Sequence, residues 1–344
     1  MKSLTLFFAL FMLLFQIAHS FEDNEKVKGG YRQCKIYSYS YEFGVVDQTS
    51  KLLLNSYKYD EKGNTIEEVQ YNNDGSVTGK RAWKYDEKGN KIEEVQYNND
   101  GSVFWKHTWK YDDKGNKIEE AEYMGEDYLN WKYTWKYDDK GNKIEEVKYS
   151  DNDAVDWKYT YRYDENGKIL EELKYDDFGL VDNKYTYLYE TKENTLEKVK
   201  YEDDFVAEKQ IFDNKGNKIE EINYNYDGSV DFKSIYKYND KGKMIEEAKY
   251  YGDDSFDGKY TYRYDDKGNM IEKVEYLENN DIGSKYTFQY DNEGHMIEYV
   301  QYYSDGSVTY KYTYKYDDNG NKIEMIQYVS NDEPIIKWEY IYSK

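Results

Sequence analysis

The sequence predicts an all-β repeat protein: about eleven 26-residue antiparallel β-hairpin units forming a continuous twisted or superhelical sheet. Three observations carry this. A Tyr-Asp-x-x-Gly pattern recurs at near-constant spacing, the segments around it alternate with a period of two, and tyrosine is abundant enough to stand in for an aliphatic core.

The spacing comes first. The turn glycines Gly63, Gly89, Gly115, Gly141 and Gly167 are 26 residues apart, and the series resumes at Gly216, Gly242, Gly268, Gly294 and Gly320. The 49-residue gap between Gly167 and Gly216 holds one degenerate unit around Glu190-Thr191-Lys192-Glu193-Asn194. Within a unit, Trp131-Lys132-Tyr133-Thr134-Trp135-Lys136-Tyr137 alternates aromatic with Lys or Thr, which predicts a strand with one aromatic and one polar face. Asp138-Asp139-Lys140-Gly141-Asn142 fits a type I turn closed by a left-handed glycine. Lys143-Ile144-Glu145-Glu146-Val147-Lys148-Tyr149 returns, and turns such as Asn72-Asn73-Asp74-Gly75 close the unit. Ile144 and Val147 are three apart, so a bulge is expected near the Glu-Glu pair to bring both to the aromatic face; the alternative is that Ile packs on the other face. Lys110, Lys136, Arg162 and Lys237 form a column beside Glu119, Glu145 and Glu246, so cross-strand ion pairs are expected on the polar side.

The chain divides into three parts. Residues 1–20 read as a secretory signal: one lysine, an apolar run from Leu4 to Ile17, then Ala18-His19-Ser20. Residues 21–56 read as an irregular N-terminal unit or cap. Residues 57–344 are the repeat array. No membrane insertion is expected after removal of the signal, and the protein is expected to be secreted or at the cell surface.

Composition narrows the function. The 344-residue chain carries a net charge of −22, which disfavours nucleic acid and anionic membranes. Mean hydropathy is −1.12, yet 45 Tyr and 7 Trp supply rings that can each bury on the order of 150–250 Å². The lone cysteine, Cys34, rules out an intramolecular disulfide and leaves a buried thiol or an intermolecular link open.

The unit Trp83-Lys84-Tyr85-Asp86-Glu87-Lys88-Gly89-Asn90, repeated as Tyr314-Lys315-Tyr316-Asp317-Asp318-Asn319-Gly320-Asn321, resembles the YD repeat of the RHS/YD-repeat family over nearly all of the mature chain. The resemblance implies a secreted bacterial β-sheet spiral linked to cell-surface contact, carbohydrate binding or toxin encapsulation. Asn stands where the family more usually has Arg after the glycine, and repeat material runs to Lys344, so no toxin role is expected.

Comparing units locates candidate chemistry. The column Trp83, Trp109, Trp135, Tyr161, Tyr187, Gln210, Tyr236, Tyr262, Phe288, Tyr314 is aromatic except at one position, as packing requires. Four residues earlier, the column Gly79, Trp105, Trp131, Trp157, Asn183, Val206, Phe232, Gly258, Ser284, Tyr310 tolerates small residues. Its three successive tryptophans, Trp105, Trp131 and Trp157, are the candidate binding residues: a partly exposed aromatic strip suited to sugar stacking or a protein contact. Core filling is the competing role for these rings.

Asp112-Asp113, Asp203-Asp204 and Asp253-Asp254 raise calcium, but no loop has the ligand spacing of a known calcium site and turn geometry demands Asp and Gly anyway. His107 replaces a tyrosine of other units, and His295 follows a turn glycine, where solvent exposure is expected. No nucleophile–base pair, phosphate loop or zinc spacing is present, so neither catalytic residues nor a cofactor or metal is expected. The expected function is non-enzymatic binding or adhesion toward a glycan or protein. A structural envelope or scaffold protein is the alternative, and a carbohydrate-active enzyme is the distant one.

Overall fold

The computed structural model describes residues 26–192, 194–202, 205–329 and 332–344, so the predicted signal at 1–20 lies outside the described residues. Among the described residues there are 25 strands and no α-helix. In the unit at Tyr128–Tyr149, the strand Tyr128–Tyr137 runs out and Lys143–Tyr149 returns antiparallel beside it.

The turn motif has a job for each residue. Asp138 accepts from the backbone N–H of Lys140 (2.9 Å) and Asn142 (2.8 Å), and the Asn142 amide donates to its second oxygen (2.9 Å). Gly141 takes φ +87°, the left-handed conformation that favours glycine. Where the second turn lacks glycine, Asp153, Asp254 and Asn280 occupy that region, as short polar side chains can. The lysines of successive turns tie one rim together: Lys114 Nζ donates to the Asp139 carbonyl (2.9 Å) and Lys140 Nζ to that of Glu165 (2.6 Å).

A bulge is present, but one residue earlier than the Glu-Glu pair. Lys143 pairs with Tyr137 and Glu145 with Lys136, leaving Ile144 as the extra residue. The bulge does not bring Val147 to the aromatic face. Val147 lies opposite Thr134 and Lys158, on the charged side, and is buried there with Val95, Ala121, Ala248, Val274 and Val300. The physical reason is parity: once the register shifts at Ile144, Glu145, Val147 and Tyr149 share a face with Lys132, Thr134 and Lys136.

The tyrosine of each Tyr-Asp pair serves the same irregularity. Tyr137 Oη donates to the Lys117 carbonyl (2.9 Å), where the preceding strand's ladder has ended at Glu119–Thr134. Tyr111, Tyr163, Tyr238, Tyr264, Tyr290 and Tyr316 repeat the bond.

The charged face is a ribbon of shared carboxylates. Glu145 holds Lys136 (2.7 Å) and Lys158 (2.8 Å), and Glu324 holds Lys315 (2.6 Å) and Lys337 (2.9 Å). The returning-strand tyrosines lie under lysines on this face, as Tyr149 does under Lys132, whose Nζ is 4.6 Å from the ring centre. Burial is the first cause raising the phenols of Tyr161, Tyr187 and Tyr299 on the aromatic face, whereas Lys84, Lys136 and Lys237 on the charged face respond first to their carboxylate partners. With the lysine heads of the charged face standing in water, as Lys84 and Lys136 do, we infer that the aromatic face is the concave, inner one.

The expected open superhelical sheet is corrected by the pairing of the chain's two ends. The first strand, Gln33–Glu42, pairs with Leu52–Tyr59 on one side and with the last strand, Pro334–Ser343, on the other. The two-residue strand Val45–Val46 pairs with the end of the first strand, and the other 24 strands close into one antiparallel barrel. Closure removes both exposed edges, each a row of unpaired backbone groups. At about 4.8 Å per strand the perimeter is about 115 Å, so a circular barrel is at least about 37 Å across. Most inner rings remain half-exposed, and among the described residues strands contact only their sheet neighbours, which leaves an open lumen rather than a packed core.

Deep burial concentrates at the seam. Cys34, Ile36, Tyr312, Tyr314, Met325, Trp338 and Tyr340 form one cluster. Cys34 is 1% exposed, so its thiol is a core group and not an intermolecular link. The segment before the first strand fastens one rim across the seam: Val27 N–H donates to the Gly63 carbonyl (3.1 Å) and Lys28 N–H to Asn321 Oδ1 (2.9 Å). A Cβ on Gly63 would lie 2.1 Å from the Val27 oxygen, so glycine is required there.

Removing the seam ring should open the barrel. Trp338→Ala is expected to cost about 3–5 kcal/mol in urea unfolding. Trp338→Phe should lie within about 1.5 kcal/mol of the parent, because the indole N–H is buried without an acceptor. Equal stabilities for the two variants would contradict the seam's role.

Candidate functional site

Outgoing strands place three inner-face positions in each unit, and returning strands interleave two polar ones. In the unit starting at Tyr128 these are Trp131, Tyr133 and Trp135, with Glu146 opposite Trp135 and Lys148 opposite Tyr133. The three predicted tryptophans, Trp105, Trp131 and Trp157, stand on successive outgoing strands, half-buried, on this face.

They do not stack on one another. Trp131 meets His107 edge-on (4.9 Å between ring centres, 86°) and Tyr133 likewise (5.3 Å, 72°). Trp157 meets Tyr133 (5.7 Å, 65°) and Tyr159 (5.0 Å, 81°), and Trp105 faces His107 at 6.4 Å. His107 in turn lies flat on Trp109 (4.4 Å, 25°), and Tyr133 is parallel to Trp135 (5.8 Å, 9°). The result is one connected aromatic field across three units, from Trp105 to Tyr161.

The middle rings His107, Tyr133 and Tyr159, which link the tryptophans, were missed by the column comparison. Their signal was available two residues after each tryptophan. Arg81 is the same position one unit earlier.

Carboxylates and lysines are set among the rings. Trp131 Nε1 donates to Glu122 (3.1 Å), Tyr161 Oη to Glu146 (3.2 Å), and Lys143 to Glu146 (2.5 Å) while lying 4.8 Å from the Tyr161 ring centre. Lys117 bridges Glu120 and the Trp135 ring in the same way. The field can offer ring surface and hydrogen-bond acceptors to a ligand with both apolar and hydroxyl groups.

His107 Nε2 is 3.1 Å from Glu120 Oε1 but not aligned for a hydrogen bond. Burial holds its imidazole below the usual value, with Glu120 pulling the other way. His295 is half-buried rather than in solvent: it packs on Tyr316 (4.8 Å), and its Nδ1 is 3.0 Å from Asp291.

In two of the acidic turns that raised calcium, the first carboxylate is used within the turn. Asp112 is occupied by Asn116 and Asp253 by Ser255, and these bonds lower both carboxyls. Asp203 and Asp204 lie outside the described residues.

No protein-family model and no curated protein sequence matches the chain. Among solved structures it is similar to a chain of a TcdB2–TccC3 toxin complex (14% identity, TM-score 0.38), covering 82% of this chain and 19% of that one. It is likewise similar to the Tc holotoxin pore of Photorhabdus luminescens (13% identity, TM-score 0.38, 85% of this chain, 19% of that one). These toxin chains are RHS/YD-repeat proteins, and the chain spans about a fifth of their length. A porin-like protein from Bacteroides uniformis matches at 11% identity and TM-score 0.26, over 94% of this chain and 100% of that one. No residue role is carried over from these likenesses. The fold and site themselves define a closed barrel of hairpin repeats lined with rings and carboxylates.

His107 gives the site a pH signature. An unfolded imidazole titrates near 6.5. The folded one takes its proton less readily, so its contribution is intact above about pH 6.5 and lost as pH falls toward the folded value. The turn aspartates, held below 3.8, lose theirs only under about pH 4. The melting temperature should therefore drop from pH 7.5 to 5.5, and His107→Tyr should flatten that drop. Parallel slopes for the two proteins would refute the assignment.

Proposed function

We propose that the chain is an exported, non-enzymatic repeat protein of the YD type that binds a glycan along the inner aromatic field. The observation that carries the reading is the half-exposed, connected set of rings from Trp105 to Tyr161 with carboxylates between them. Sugar rings present C–H faces that pack on aromatic rings and hydroxyls that donate to carboxylates. The closed barrel holds these groups on rigid strands, so little is spent on ordering them when a ligand binds.

The outward face supports a water-exposed barrel. Its Lys–Glu–Lys ribbons, with Lys136 at 69% side-chain exposure, are the opposite of the apolar band a membrane-spanning barrel presents to lipid.

A protein partner is the second reading, favoured by the rim opposite the lysine-tied turns. Exposed apolar side chains gather there, including Phe43, Tyr128, Phe178 (83% exposed), Leu180 and Tyr226 (80% exposed). Loop tips on that rim, such as Asp176-Asp177-Phe178-Gly179-Leu180 and Asn225-Tyr226-Asp227-Gly228-Ser229, are acidic and carry no lysine or arginine.

A glycan array probed with the mature protein tests the first reading. The triple variant Trp105→Ala, Trp131→Ala, Trp157→Ala should lose at least about tenfold in affinity for any glycan bound, equivalent to about 1.4 kcal/mol. Undiminished glycan binding by a folded triple variant would exclude the field as the site.

A further inference from the structure

Several inner positions lack a ring, and one of them carries an arginine. In the strand Val77–Tyr85 the inner positions are Gly79, Arg81 and Trp83, where the next unit has Trp105, His107 and Trp109. Gly79 has no side chain, and a shallow notch opens there, lined by Glu68, Gln70, Gly79, Lys80, Arg81 and Gln96. The adjoining wall is aromatic, because Gln96 lies directly opposite Trp105.

The notch holds a cation that forms no direct ion pair among the described residues. Some inner-face lysines pair with carboxylates, as Lys91 does with Glu94 (3.0 Å), Lys148 with Asp156 (2.8 Å) and Lys174 with Asp182 (2.6 Å), and others lie over rings, as Lys200 does over Tyr185 and Lys249 over Phe232. The Arg81 side chain has no hydrogen bond, ion pair or ring contact among the described residues. The carboxylate directly across from it, Glu68, is drawn away by Asn55 (2.8 Å), Tyr57 (3.0 Å) and Gln70 (3.2 Å). An arginine fork left open to the lumen, flanked by the planar amide of Gln96, matches a carboxylate taken up in bidentate fashion.

We propose that the Arg81 notch is a subsite for the carboxylate of an acidic sugar, continuous with the aromatic field. This rests on the glycan reading above and names its charged component. The net charge of −22 limits the ligand to a glycan with sparse acidic residues, because a polyanion would be repelled by the rest of the chain.

The test uses galacturonic acid, galactose and galactose 6-sulfate as separate probes, titrated into the folded protein while the Arg81 Nε–H resonance is followed by NMR. Galacturonate should bind at least about fivefold more tightly than galactose and shift the Arg81 resonance. Arg81→Met should abolish that preference at an unchanged melting temperature. Gly79→Leu, which fills the notch, should do the same by a route that keeps the arginine. A preference for the sulfate over the carboxylate, no preference for either acid over galactose, or a preference that survives Arg81→Met would each overturn the proposal. The triple tryptophan variant separates the two readings: loss of neutral glycan binding there, with the galacturonate preference intact, would locate the two functions in different residues.

Discussion

Backbone pairing between Gln33–Glu42 and Pro334–Ser343 is the constraint on which the rest of the molecule depends. The chain is a single sheet with few deeply buried side chains outside the seam. Such a sheet cannot draw its stability from a thick core. It draws on hydrogen-bond ladders, shared-carboxylate ribbons and lysine–ring contacts, each small and repeated around the barrel. Open ends would expose two rows of backbone donors and acceptors and leave the aromatic face free to pair with other chains. Joining the ends removes both hazards, and the apolar cluster of Ile36, Met325, Trp338 and Tyr340 stands where the ends meet.

The repeat motif is a kit for making the same irregularity many times. Glycine and aspartate close the turn, asparagine returns a hydrogen bond to the aspartate, and the bulge that follows shifts the returning strand by one residue. Tyrosine then takes the carbonyl that the shift presents. The degenerate unit shows the converse. Val181–Lys192 and Thr195–Glu202 lack the turn glycine and pair without a register shift as far as Lys192–Thr195. Two bulges in a regular hairpin unit bend and twist the sheet at fixed intervals, a means by which a long meander can come round on itself.

Hairpins, turns and the alternation of aromatic with charged residues were legible because they depend on residues within a few positions of one another. Closure was not legible, because it joins Cys34 to Tyr342 across the whole chain and the two strands carry no mark of their pairing except ordinary β-forming residues. The side chosen by Val147 was misjudged for a related reason: a bulge displaced by one residue reverses every face after it. At the candidate site, the tryptophans stood out as a column with unusual tolerance of small residues, whereas His107 and Tyr133 did not, since a ring in a ring-rich strand looks like packing. Arg81 is visible only once Glu68 is seen to be occupied by other partners.

Amide hydrogen exchange along Pro334–Ser343 tests closure most directly. A strand paired on both sides protects consecutive amides, and those of Ile336, Lys337, Trp338 and Glu339 should exchange as slowly as the amides of Met296–Tyr302. Alternation of slow and fast amides along that last strand, the pattern of a free sheet edge, would contradict a closed barrel.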